Sequence, residues 1–308
     1  MLIDSSLQLI ENTPLIHLAN LYGGKGKIYA KAEFIQPVGS VKDRAALHII
    51  KDAYRERRLK KGQPVIEMTS GNMGAGLAIV CNMTGNPFVA VMSEGNSPAR
   101  TRMLEGIGAT VVLVPQVDGN PGKVTGKDIE AATHKAISLA EETKGFYVDQ
   151  FNNLSSINAH YQGTGPEIWR DLGAELSAFV AAAGSGGTFT GTAKFLKESQ
   201  PDIFCATVEP AGARILAGQS ITEPRHVMQG IGYGIELPHW ESNLVDEYLA
   251  VDDDEATLYK DLLAQKEGLY VGYSAAANVC ASVKLIESGR LGVHPVVATV
   301  LCDTGLKY

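Results

Sequence analysis

Short, nearly continuous apolar runs alternate with amphipathic stretches along most of the 308-residue chain. Pro64–Met68, Phe88–Met92, Thr110–Val114, Ala178–Ala183 and Pro295–Leu301 are dominated by valine, isoleucine and alanine, the composition of strands buried on both faces. Helical stretches lie between them: Ala45–Tyr54, Ala75–Met83, Asp128–Thr143 and Thr190–Lys197. A further apolar segment, Gly268–Val271, leads into a helix that continues through Val283–Ile286. Buried strand followed by helix, repeated, is the pattern of parallel βαβ units, so the fold class is α/β.

Composition adds size and surroundings to that picture. With 45% hydrophobic residues and 33 glycines, the chain can bury one large core or two medium ones. It shows no internal repeat, low-complexity tract or proline-rich linker. The net charge of −7 is spread along the chain, and the one basic run, Arg55–Lys61, reads as the polar face and end of a helix, where cations suit the dipole. Nucleic acid is not an expected partner. No segment has the length needed to span a bilayer, and the N-terminus lacks a basic stretch followed by an apolar core, so a cytoplasmic protein is expected. Cys81, Cys205, Cys280 and Cys302 stand in apolar contexts without Cys-x-x-Cys spacing and are expected to be buried free thiols. The seven histidines are dispersed, so no metal site is expected.

Chemistry concentrates where strands hand over to helices. Lys42 lies in Gln-Pro-Val-Gly-Ser-Val-Lys-Asp-Arg (Gln36 to Arg44), just ahead of a helical run. Alone it reads as a surface lysine near a helix start; held at an element boundary, its amine is placed to form an imine with an aldehyde, a reading that later segments of the chain support. Thr69-Ser-Gly-Asn-Met-Gly74 follows a strand and opens a helix, and its hydroxyls, amide and backbone N–H groups suit a carboxylate. An ordinary helix cap accounts for one hydroxyl there but not for the cluster. Gly184-Ser-Gly-Gly-Thr188 does the same after Ala178–Ala183, and reads as a phosphate cradle or as a packing turn. It lacks the Gly-Lys-Ser/Thr ending of a nucleotide loop, and Phe189 stands where a dinucleotide fingerprint needs its last glycine. Gly272-Tyr-Ser274 opens a third helix, with Ser274 as its expected cap.

Taken together, these segments resemble the cysteine synthase and cystathionine β-synthase group of pyridoxal phosphate enzymes, of fold type II and tryptophan synthase β-like. The resemblance extends over nearly the whole chain: Glu11-Asn-Thr-Pro-Leu15, Ser40-Val-Lys-Asp-Arg44, Thr69-Ser-Gly-Asn72, Gln150-Phe-Asn-Asn153, Gly163-Thr-Gly-Pro-Glu-Ile-Trp169, the glycine loop, Val208-Glu-Pro210, Gln229-Gly-Ile-Gly232 and Asp303-Thr-Gly305. It implies a two-domain architecture, each domain a mostly parallel sheet flanked by helices, with a smaller domain at 45–152 inserted into a larger one of 1–44 and 153–308.

The same resemblance implies roles for residues. Lys42 would hold pyridoxal 5'-phosphate covalently and then act as base at the substrate Cα. Asn72 would bond the cofactor's ring hydroxyl, and Gly184, Ser185, Gly186, Gly187 and Thr188 its phosphate. Ser274 would face the pyridine nitrogen. Thr69, Ser70, Asn72, Met73 and Gln150 would surround the substrate carboxylate, with Gly230 lining the entrance. A neutral hydroxyl at the pyridine nitrogen leaves the ring a weaker electron sink than a carboxylate would, which favours loss of a β-substituent over transamination. The implied activity is β-replacement on an activated serine through an aminoacrylate, most directly cysteine from O-acetylserine and sulfide. Cystathionine formation, cysteine desulfhydration and diaminopropionate-type synthesis use the same core machinery, and a ligand-binding homologue is the alternative outside enzymology. A homodimer is implied, with a serine acetyltransferase as a possible partner. Four features depart from the family pattern: Met73 replaces a threonine, Gln36 replaces an asparagine, Tyr233 is closer to the cystathionine β-synthase branch, and Val117–Lys127 is a longer loop.

Overall fold

The structure is a computed structural model that describes residues 2–233 and 235–307. Its strands are β1 (Leu15–His17), β2 (Lys27–Ala32), β3 (Val65–Met68), β4 (Phe88–Ser93), β5 (Thr110–Val114), β6 (Phe146–Tyr147), β7 (Leu176–Ala182), β8 (Phe204–Pro210), β9 (Glu247–Val251) and β10 (Val296–Leu301). Its helices are α1 (Lys42–Arg55), α2 (Asn72–Thr84), α3 (Pro98–Gly106), α4 (Gly126–Thr143), α5 (Ser155–Ala159), α6 (Gly165–Leu172), α7 (Gly187–Ser199), α8 (Asp253–Glu267) and α9 (Tyr273–Glu287). Two compact units share them, one made of the N-terminal residues through Ile10 with Lys42–Ser156, the other of Glu11–Val41 with the chain from Ile157 onward.

The first unit holds a four-stranded sheet in the order β5-β4-β3-β6, parallel throughout. Helix α4 sets Ala132, Ala136 and Ala140 against Ile66 and Val91; the four-residue spacing puts three small side chains on one stripe. Gly76 lets α2 seat against the start of α1: a Cβ there would lie 3.1 Å from Ala46 Cβ and 3.2 Å from the Lys42 carbonyl oxygen. The first turn of α1, with Lys42 at its first position, is therefore clamped by α2.

The long 117–127 loop is tied to the start of α4 by one carboxylate. Asp128 accepts from the N–H of Val117 at 2.6 Å and of Thr125 at 2.8 Å, and from Thr125 Oγ1 at 3.0 Å, within a reciprocal capping box. These donors hold the Asp128 carboxyl well below the ordinary carboxylate range, the Thr125 N–H contributing most. A depressed carboxyl contributes stability above its unfolded pKa and loses it as pH falls through the folded one. Asp128→Asn is therefore expected to lower the Tm above about pH 5, with the gap from wild type closing below about pH 4; thermal melts across pH check this.

The second unit holds a six-stranded sheet in the order β1-β2-β10-β7-β8-β9, in which only β1 runs antiparallel to its neighbour. Alternation along β7 divides the core: Ala178 and Val180 face a cluster with Val208, Val279 and Val297, while Phe179 and Ala181 face Phe189, Leu196 and Cys205. Phe189 is fully buried, 6.1 Å from Phe179 and 5.2 Å from Trp240 between ring centroids, so the residue that breaks the dinucleotide fingerprint anchors α7 to the sheet. A π-helical turn, His160–Thr164, joins α5 to α6. From α6, Glu167 reaches the fully buried Lys31 at 2.6 Å, and Glu167 also accepts from the Asn12 N–H at 3.0 Å. Gln36, buried, donates to Glu33 at 2.9 Å and accepts from the Glu11 N–H at 3.2 Å, a reach that the shorter asparagine lacks.

Four helix starts differ from the sequence reading. The helices α1, α2 and α7 begin three residues earlier than their apolar periodicity shows, because polar and glycine residues fill their first turns. Gly268 takes φ +68° to cap α8, and Val271 makes an isolated bridge with Thr304. Ser274 lies inside α9, whose N-cap is Gly272. No described helix is long and apolar enough to cross a membrane, and the four cysteines are free, three of them buried and Cys302 half-buried.

Candidate active site

In the first unit the lysine and the hydroxyl turn share a helix pair. Lys42 opens α1, and β3 runs directly into Thr69–Gly71 and then α2, the helix clamped on the Lys42 carbonyl. The turn is not capped in the ordinary way, since its N-cap is Gly71 and offers no side-chain oxygen. Thr69 Oγ1 instead accepts from the Gly74 N–H at 3.2 Å. Arg100 of α3 donates through Nη1 to the Ser70 carbonyl at 3.1 Å and to Ser70 Oγ at 3.2 Å. Both hydroxyls thus have an accepting side engaged, which leaves their own protons to be donated, the polarity an anionic carboxylate requires. Asn72 and Met73 occupy the first two helical positions; Met73 is 3% exposed and serves as core packing at this point.

Gln150 joins the same region from beyond β6. Its Nε2 donates to Glu67 Oε1 at 3.1 Å, two residues before Thr69. Glu67 is buried, and burial pushes its carboxyl up to about 8, against the backbone N–H groups of Gln150 and Asp149, which pull the other way.

In the second unit Gly184, Ser185, Gly186, Gly187 and Thr188 form the crossover from β7 to α7. Gly186 is left-handed at φ +85°, and an added Cβ would lie 3.3 Å from Leu237. Thr188 Oγ1 lies 3.2 Å from His160 Nε2, and the other ring nitrogen lies 2.9 Å from Thr164 Oγ1. Asn278 brings α9 to the same sheet edge: its Oδ1 accepts from the Ala182 N–H at 2.8 Å and its Nδ2 donates to the Val300 carbonyl at 2.8 Å. One turn earlier on α9, Ser274 Oγ donates to the Gln229 carbonyl at 3.2 Å, beside Gly230 with φ +92°. The glycine loop, Ser274 and Gly230 are thereby gathered at the C-terminal edge of the parallel strands, where open α/β sheets bind ligands. Gly184, Glu209, Leu216, Tyr233 and Leu237 line a cleft there.

A family model described as pyridoxal-phosphate dependent enzyme matches residues 7–303. The chain belongs to the pyridoxal-phosphate dependent enzyme family. It is 37% identical over 312 residues to a probable cysteine synthase of Bacillus subtilis, covering 100% of this chain and 96% of that one. It is 35% identical over 304 residues to the O-acetylserine dependent cystathionine beta-synthase of the same organism, covering 98% and 94%. Among solved structures, a hydrogen sulfide-producing enzyme from Fusobacterium nucleatum is 32% identical with a TM-score of 0.90, each chain covered in full. The α/β class and the cofactor implied by the sequence hold for this pyridoxal phosphate enzyme.

The residues at the glycine loop fit that cofactor's phosphate. The Thr190 hydroxyl, on the first turn of α7, is fully buried and has no hydrogen-bond partner, and α7 has no side-chain cap. A buried, unsatisfied donor beside an uncapped helix start and a left-handed glycine is a cradle for an anion. Arg100, Glu67, His160 and Asn278 escaped the sequence reading. Each lies outside the glycine and hydroxyl turns, and only tertiary pairing gives it a partner there. For His160 the signal in the sequence was its place just before Gly163-Thr-Gly-Pro-Glu167.

Proposed function

We propose that this enzyme catalyses β-replacement on an activated L-serine, most directly the formation of cysteine from O-acetylserine and sulfide. The observation that carries the reading is the hydroxyl pair at the end of β3: Thr69 and Ser70 are each engaged as acceptors by Gly74 and Arg100, and so are set to donate to an amino-acid carboxylate. The end-to-end likeness to a cysteine synthase and to an O-acetylserine dependent cystathionine beta-synthase supports the same reaction class.

In this proposal Thr69, Ser70, Asn72 and Gln150 hold the carboxylate, with Met73 as apolar backing. Lys42 Nζ removes the proton from Cα and carries it while the β-substituent leaves. Gly184, Ser185, Gly186, Gly187 and Thr188, backed by the Thr190 hydroxyl, hold the cofactor phosphate, and Asn72 its ring hydroxyl. Pyridoxal phosphate, when bound, supplies the conjugated ring that makes the α-proton acidic. Ser274 presents a neutral hydroxyl rather than a carboxylate at the ring nitrogen, which favours departure of the β-group over transamination. Gly230 lines the way in.

Tyr233, half exposed on the cleft beside Glu209 and Leu237, favours a second reading in which a larger thiol replaces sulfide and cystathionine is the product. A domain division near 45–152, a homodimer, docking of a serine acetyltransferase and a cytoplasmic location belong to the same proposal. The first is supported by the separate clustering of Lys42–Ser156, the next two by the family resemblance, and the last by the four free thiols.

The test is visible absorption of the purified holoenzyme titrated separately with O-acetylserine, O-phosphoserine, serine and cysteine, followed by product analysis with sulfide and with homocysteine. A band shift with O-acetylserine and cysteine as product is the expected result. A protein that stays colourless with added pyridoxal phosphate, or that yields no β-substituted product, overturns the reading.

A further inference from the structure

The chain beyond β6 reaches Gln150 through Asp149, whose backbone is left-handed at φ +51°. Glu67 sits in β3 opposite Ala90 of β4, next to the ladder that pairs Ile66 with Tyr147. The Val148 N–H donates to the Ile66 carbonyl at 3.0 Å, so the chain passes Glu67 as it leaves the sheet. The Glu67 carboxyl then accepts at Oε1 from the Gln150 Nε2 at 3.1 Å.

We propose that Glu67 is the positioning residue for Gln150, fixing its carboxamide so that its free N–H faces the carboxylate held by Thr69 and Ser70. The inference deepens the proposed function and rests on it. A carboxamide can present its oxygen or its nitrogen to a ligand, and an oxygen turned toward a substrate carboxylate would repel it. With one Nε2 hydrogen committed to Glu67, the other is fixed as a donor and the flipped arrangement is disfavoured.

A neutral Glu67 keeps negative charge away from the carboxylate that Gln150 faces. Its Oε2 is buried with no hydrogen-bond partner, so a full charge there is poorly compensated. The titratable groups facing it are Asp149, whose charge opposes ionisation, and Tyr147, whose phenol is pushed up chiefly by burial and then by Glu67. The carboxyl, pushed up to about 8, is protonated at neutral pH and becomes anionic as pH rises, placing a negative charge behind the carboxylate-binding turn.

The experiment compares wild type with Glu67→Gln and Glu67→Leu holoenzymes, measuring the half-saturating O-acetylserine concentration from the spectral shift, and kcat, from about pH 7 to about pH 9. Glu67→Gln keeps an acceptor for Gln150 but cannot ionise. The ratio of half-saturating concentrations, wild type over Glu67→Gln, is expected to rise at least about fivefold over that range; titration of the substrate amine cancels in the ratio. Glu67→Leu, which removes the acceptor, is expected to weaken binding at every pH while kcat changes little. A flat ratio, or unchanged affinity in Glu67→Leu, overturns the inference while leaving the proposed reaction standing. Absence of any spectral response in all three proteins overturns the proposed reaction, and the inference with it.

Discussion

Lys42→Ala is expected to reduce turnover by at least about 10³-fold and to leave the protein folded. The side chain projects from the first position of α1, and the backbone that carries it is fixed by α2 through Gly76, independently of the lysine amine. Alanine is the best helix former, so truncation does not unseat the helix. In the proposed function two roles rest on one atom, the covalent link that holds the cofactor and the base that serves Cα, and both would be lost. The check is a pair of measurements on the variant reconstituted with pyridoxal phosphate, namely the visible spectrum and the rate of cysteine formation. A melting temperature near that of wild type, together with loss of the wild-type absorption band and of turnover, is the expected combination. Retained turnover removes Lys42 from the site and ends the β-replacement reading in its present form.

Gly191→Ala is expected to cost about 3 kcal/mol in stability, and to loosen with it the glycine loop proposed to hold the cofactor phosphate. Gly191 is in the second turn of α7, where an added Cβ would fall on the Ile157 carbonyl oxygen and lie 2.9 Å from both His160 Cβ and the Tyr161 nitrogen. Two of those three obstacles are backbone atoms, which no rotamer change can move. Relief requires α7 to part from the π-helical turn, and that separates His160 from Thr188. Thermal unfolding together with a pyridoxal phosphate dissociation constant measures both effects. A variant with wild-type stability and cofactor affinity contradicts the close approach of these two segments.

Strands β3, β4, β5, β7 and β10 were legible in the sequence because parallel strands covered on both faces leave unbroken apolar runs, and β4, β5 and β10 follow theirs almost residue for residue, whereas β1, β2, β6, β8 and β9 left no such run. The helix starts were not, since their opening turns, such as Lys42–Arg44, Asn72–Gly74 and Gly187–Phe189, are polar or glycine-rich for reasons of chemistry rather than periodicity. Turn motifs announced the glycine loop and the hydroxyl turn. The residues that orient them did not announce themselves: Arg100 is 30 positions from Ser70 and Glu67 is 83 positions from Gln150, each an ordinary titratable side chain in its local setting.

The π-helical turn at His160–Thr164 fixes the phase of everything that follows it. A turn with an extra residue advances the next helix by about 100° relative to an uninterrupted α-helix, because 3.6 residues complete a revolution. That offset decides which face of α6 carries Glu167 toward Lys31. A single-residue deletion between 160 and 164 would therefore do more than shorten a connector. It would rotate the acid away from a fully buried ammonium and leave that cation stranded in the core, so the spacing between His160 and Glu167 is fixed by an ion pair outside the residues assigned to chemistry.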